Sequence, residues 1–152
     1  MTDDVAEWND DPAHVPPLSK LPPQTGVAAA RPPVEPQLFF ASVDEFVREK
    51  LRHTYARRVG PQGSNRWDAD WWKYPEAISR LDALWRAWEA LRLDGTFGMS
   101  TWWRDHADHH MRMLLSPDGP FATSRSHNGE GEPLPYNPPP AGMFVDVRST
   151  TS

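Results

Sequence analysis

The residues of this chain best suited to chemistry lie in the run Asp105-His106-Ala107-Asp108-His109-His110. On a helix, the spacing of His106 and His110 can present two imidazoles to one metal ion. The zinc-peptidase pattern also needs Glu directly after the first His, and Ala107 stands there. A further ligand would have to come from a distant acid such as Asp70 or Glu89. The competing expectation is structural: His110 falls on an apolar helical face and His106 at its margin, each bonded to a carboxylate or a carbonyl, with His109 exposed. That reading needs no added ligand, so neither a metal nor a cofactor is expected. Asp68 and Asp70 offer a second pair of carboxylates, which suits a divalent ion or, more simply, a helix cap. The sequence holds no GxSxG elbow, no phosphate-binding glycine loop, no dinucleotide fingerprint and no cysteine. An enzyme therefore has no positive support.

Aromatic residues give the other candidate site. Seven of the eight tryptophans fall between Trp67 and Trp103. Helical periodicity assigns Trp85, Trp88 and Trp103 to a core, with Trp102 off the centre of its face. Trp67, Trp71 and Trp72, with Tyr74, lie on a connection between helices, where at least one indole is expected to line a partner-binding surface. The alternative is nucleic acid, held by Arg57, Arg58, Arg66 and Lys73 beside an exposed Trp67 or Trp71. Charge argues against it: residues 38–121 carry 12 acids and 12 bases, whereas a dedicated DNA binder shows a basic excess.

Three helices must position these groups. Ser42-Val43-Asp44-Glu45 has the form of a capping box, followed by Val43, Phe46, Val47, Leu51 and Tyr55 on one arc, with Gly60-Pro61-Gln62-Gly63 as terminator. Arg52, Arg57 and Arg58 would then occupy the final turns. A second helix runs from Pro75 to about Leu93, with Gly95 as a left-handed cap. It buries Ala77, Ile78, Leu81, Leu84, Trp85, Trp88 and Leu91 and turns Glu89 outward. A third runs from Ser100 to before Pro117, with Trp103, Ala107, His110, Met111 and Leu114 inward. A short extended stretch at Leu38-Phe39-Phe40 is expected to cross the bundle beside Phe121.

The fold class expected is all-α, a small Trp-rich three-helix domain over residues 38–121 flanked by disordered Pro-rich tails. Residues 1–37 hold eight prolines, and six acids against two bases; residues 122–152 hold five prolines. Such compositions bury too little apolar surface to offset ordering entropy. The formal charge of −5 comes from these two segments. The absence of cysteine, of a long apolar run and of a signal-like start points to a cytoplasmic protein with no membrane partner.

The order of motifs is also familiar: Phe46-Val47, Trp67 then Trp71-Trp72, RLDALWRAWEALRLD over residues 80–94, GMSTWWRDHAD over 98–108 and DGPF over 118–121. Across about residues 39–121 the chain resembles an actinobacterial domain of unknown function, family number 4913, found among plasmid, integrative-element and phage genes. The resemblance implies a mobile-element setting and no mechanism. Together these features lead us to expect a non-enzymatic accessory module that binds a host or element protein. A nucleic-acid-binding accessory protein comes second, and a metal-dependent enzyme using His106 and His110 third.

Overall fold

Ser42 opens the first helix as its side chain demands. The computed structural model, which describes residues 37–149, places Ser42 in extended conformation with its hydroxyl accepting the Glu45 N–H at 3.2 Å. The Glu45 carboxylate reaches back one residue further than a capping box requires, to the Ala41 N–H at 2.6 Å. Helix α1 spans residues 43–54, with an internal π segment at Val47–Leu51. Val43, Phe46, Val47, Leu51 and Tyr55 are all buried, as the spacing predicts. The helix stops at Thr54, before the Gly60–Gly63 stretch expected to end it, so Arg57 and Arg58 lie beyond it.

A 3-10 turn at Trp71–Lys73 leads into α2, Pro75–Leu91. Pro75 fills the first helical position, where a missing N–H costs nothing. Ala77, Leu81, Leu84, Trp85 and Trp88 form the buried face. Glu89 departs from expectation, being buried at 5% exposure. Its two carboxylate oxygens accept the N–H groups of Phe39 and Phe40 at 2.8 to 3.2 Å, and Arg92 closes the cluster at 3.0 Å. Charge-assisted bonds of this kind contribute roughly 1.5–3 kcal/mol each, which offsets the desolvation that periodicity alone would forbid.

Gly95 does not make the left-handed cap; among the described residues the glycines at positive φ are Gly131 and Gly142. The corner after α2 is turned instead by Asp94, whose carboxylate accepts the Thr96 and Phe97 N–H groups at 2.9 and 3.2 Å. Gly98 then starts α3, two residues ahead of Ser100. A Cβ on Gly98 would lie 1.8 Å from the Leu91 carbonyl oxygen, so only glycine allows this approach.

Helix α3 spans residues 98–115, with a six-residue π segment at Trp102–Ala107. The π turn aligns residues five apart where an α turn aligns those four apart. Trp102, Ala107, Met111, Leu114 and Leu115 consequently face the core, while Trp103 stands 37% exposed. This reverses the expected roles of the two indoles. The Trp102 Nε1 donates to the Leu84 carbonyl at 3.1 Å, joining α3 to α2.

Past residue 121 the chain does not leave the bundle. Residues 122–149 have no helix or strand, yet Leu134 is fully buried, and Leu134 exchanges hydrogen bonds with Arg52: its N–H donates to the Arg52 carbonyl and its carbonyl accepts the Arg52 Nε, both at 3.0 Å. Phe144 stacks on Trp71, and the Val147 N–H donates to the Ala41 carbonyl at 3.0 Å. The boundary expected at 121 therefore moves outward, and residues 133–147 form a strap over the helices. The proposed arm at 1–37 lies, apart from Gln37, outside the described residues. Phe40 packs on Phe46 and Trp88, whereas Phe121 packs on Trp67 and Tyr74, so the two are not neighbours as expected.

Candidate functional site

The connection expected to bind a partner is largely occupied by the chain itself. Trp67 and Trp71 are fully buried, which removes both from any docking surface. Trp67 Nε1 donates to the Pro135 carbonyl at 3.0 Å, and Trp72 Nε1 donates to that of Asn137 at 3.1 Å. Asn137 answers with its own N–H to the Ala69 carbonyl and its side-chain amide to Asp70. Indole N–H groups gripping the carbonyls of a Pro-rich segment is a familiar mode of peptide recognition, and here the peptide is the strap. Tyr74 donates to Asp68 at 2.8 Å, and that bond, with burial, pushes its hydroxyl up to about 12. Trp72 and Tyr74 remain half-buried.

Asp70 stands at the N-cap position of the 3-10 turn, but neither it nor Asp68 makes a side-chain capping bond to a helix. Asp68 accepts the Asp70 N–H at 2.8 Å, a local turn, besides the Tyr74 hydroxyl. Asp70 is held below the usual carboxylate range by hydrogen bonds from Lys73 and Asn137.

Two of the four bases suggested for nucleic acid are engaged within the protein. Arg66 points into its own loop, donating to the carbonyls of Gly60, Pro61, Gly63 and Asn65. Lys73 pairs with Asp70 at 2.8 Å. Arg57 lies over the Tyr55 ring, 5.4 Å from its centroid, and Arg58 is exposed.

Among the histidines, His110 is half-buried with Nδ1 3.1 Å from Arg80 Nη1. Burial first, then the nearby Arg80, His109 and His106 charges, lower its affinity for a proton. The neutral ring accepts from the guanidinium, a role opposite to the carboxylate partner expected from sequence. Among the described residues no three His, Asp or Glu side chains are placed to hold a metal ion together, and none of their helices is long and apolar enough to cross a membrane.

One exposed aromatic ring beside a groove lies where periodicity did not place it. Phe39 is 59% exposed and packs edge-on against Phe40 and Trp88. With Glu49, Lys50 and Arg92 these residues line an open groove of about 460 Å³. Lys50 Nζ lies 5.2 Å over the Trp88 ring, and Glu49 is already paired with Arg48 at 3.0 Å. The turn after α2 adds Leu93 and Phe97, 54% and 69% exposed.

A family described as Domain of unknown function (DUF4913) matches residues 40–140. The chain belongs to the DUF4913 family. No curated protein and no solved structure matches it. The DUF4913 match runs on past residue 121 and takes in the first part of the strap, including Pro135, Tyr136 and Asn137, which the motif comparison left out. In this DUF4913 domain Glu89 was missed because its burial depends on amides contributed by Phe39 and Phe40, far away in sequence. The signal available for the strap is Leu134-Pro135-Tyr136 and Met143-Phe144-Val145, large apolar side chains inside a Pro-rich segment.

Proposed function

We propose that this domain is a non-enzymatic protein-binding module that serves as an accessory protein of an actinobacterial plasmid, integrative element or phage, and that its partner surface is the groove beside Phe39. The mobile-element setting rests on the motif resemblance alone. The observation that supports the binding role is the open groove in which the exposed Phe39 packs against the buried Phe40 and Trp88, with Leu93 and Phe97 also exposed in the turn beyond α2. Contiguous exposed apolar surface on a small domain marks an interaction site. The occupant it fits is a peptide segment with an apolar side chain to lie on the exposed Phe39 ring and a carboxylate to meet Lys50, which has no acidic partner among the described residues.

Photo-crosslinking from position 39 in the native host identifies the partner, and titration with that purified partner then tests the site. Phe39→Ala and Lys50→Glu should each weaken binding about tenfold or more while leaving the thermal midpoint nearly unchanged. Unaltered affinity in both variants, or crosslinks to a second copy alone, would sink the proposal. A role in nucleic-acid binding remains the second reading, since Arg57 and Arg58 have no carboxylate within ion-pair distance among the described residues.

A further inference from the structure

A second concavity lies on a different part of the domain, between the loop after α1 and the turn at residues 127–128. It encloses about 650 Å³ and is lined by Arg58, Gln62, Ser64, Asn65, His127 and Asn128 among others, with no carboxylate in its wall. We infer that this cleft binds a phosphate group, with Arg58 and the backbone N–H groups of Gln62 and Ser64 as its donors.

The loop's own wiring carries the inference. Arg66 gathers the carbonyl oxygens of Pro61 at 3.1 Å and of Gly63, along with Gly60 at 2.8 Å. In a planar trans peptide the N–H points opposite to the C=O. With the Pro61 and Gly63 carbonyls drawn onto the guanidinium, the Gln62 and Ser64 N–H groups must point away from it. Neither takes an acceptor among the described residues. The Gly63 N–H between them donates to the Gly60 carbonyl at 3.1 Å, so the two free amides flank an internal turn bond. The charge has the same sense: Arg66 is neutralised only by carbonyl dipoles, and Arg58 has no ionic partner among the described residues. The far wall is fixed by Asn128, which accepts the Val59 N–H at 2.9 Å and donates to the carbonyls of Arg57 and Pro133, each at 2.9 Å. Glu132 is turned onto the Gly129 N–H at 2.7 Å, and Glu130, two residues past Asn128, is exposed and outside the cleft's lining. The cleft thus has a fixed far wall, a lining free of carboxylates, the unpaired Arg58 guanidinium, and two loop residues whose N–H groups have no acceptor among the described residues.

The test is amide chemical-shift mapping on the full chain with inorganic phosphate, adenosine monophosphate, adenosine and a single-stranded oligothymidine lacking terminal phosphates, all at matched ionic strength. Phosphate and the nucleotide should give saturable shifts at Gln62 and Ser64, and adenosine none. Arg58→Ala should weaken the phosphate response about tenfold, while Arg104→Ala, an exposed arginine elsewhere, should not. Shifts with the oligothymidine as well would identify the phosphate source as a nucleic-acid backbone; shifts with the monoesters alone identify a small phosphorylated ligand. Absence of a saturable response to phosphate, a response reproduced by chloride, or an Arg58→Ala titration matching the parent would overturn the assignment.

Discussion

At the scale of single residues, the indoles differ in what their N–H groups do, and stability should follow that difference. Trp67 Nε1 has a carbonyl partner in the strap, whereas the equally buried Trp71 and Trp85 nitrogens have no hydrogen-bond partner. Trp67→Phe removes ring area and strands the Pro135 carbonyl, while Trp71→Phe removes ring area and relieves an unsatisfied donor. Chemical denaturation should therefore show Trp67→Phe to be the more damaging by about 1 kcal/mol or more; equal losses would contradict the assigned roles. His110 supplies a pH signature. Its folded-state proton affinity lies below normal, chiefly from burial and then the Arg80 charge, so the unfolded chain takes up the proton first. Stability is then unaffected well above the unfolded value of about 6.5 and falls as the pH drops below it. A thermal midpoint that declines between about pH 7.5 and 5.5, with the decline reduced in His110→Gln, is the expected outcome. Sequence alone put His110 on the apolar face, where the structure has it half-buried, but could not supply Arg80, because the partner comes from another helix.

Elements show where periodic reading holds and where it breaks. Helix α2 obeys an uninterrupted α period, and its face from Ala77 to Trp88 was legible from spacing. Helix α3 was legible at Ala107, Met111 and Leu114 but not at its indoles, since a π segment is invisible to a pattern search that assumes one period throughout. The consequence is measurable: Trp102→Ala should cost roughly 3–5 kcal/mol, as large aromatic truncations in cores do, and Trp103→Ala far less. The opposite ranking would restore an unbroken α register. The joint between the helices is equally specific. Gly98→Ala forces its methyl against the Leu91 carbonyl, and a loss of about 1–3 kcal/mol is expected from such overpacking, with no compensating gain in helix propensity visible. Equilibrium unfolding in urea would measure it.

For the whole molecule, composition misled on the boundary at 121. A segment with five prolines and few apolar residues resembles disorder, yet a handful of well-placed contacts at Leu134, Tyr136, Asn137 and Phe144 suffices to hold it. The same contacts explain why the surplus aromatic residues near Trp67 pointed to a docking surface: their ligand was elsewhere in the same chain. A fragment of residues 37–149 should keep the cooperative melt of the full chain, and a fragment ending at 121 should melt lower, bind a hydrophobic dye and show red-shifted indole emission. Identical melts for the two fragments would return the boundary to 121.

The strap also sets an order of events during synthesis. The indoles of Trp67 and Trp72 leave the ribosome well before their acceptors, since Pro135 follows Trp67 by 68 residues and Asn137 follows Trp72 by 65. Until those later residues emerge, the nascent chain carries uncovered aromatic surface of the kind that chaperones recognise and that drives aggregation. A premature stop anywhere in the strap would leave that surface bare for good, so a truncated product should be cleared by the cell's quality control instead of persisting as a shorter, weaker version of the same protein.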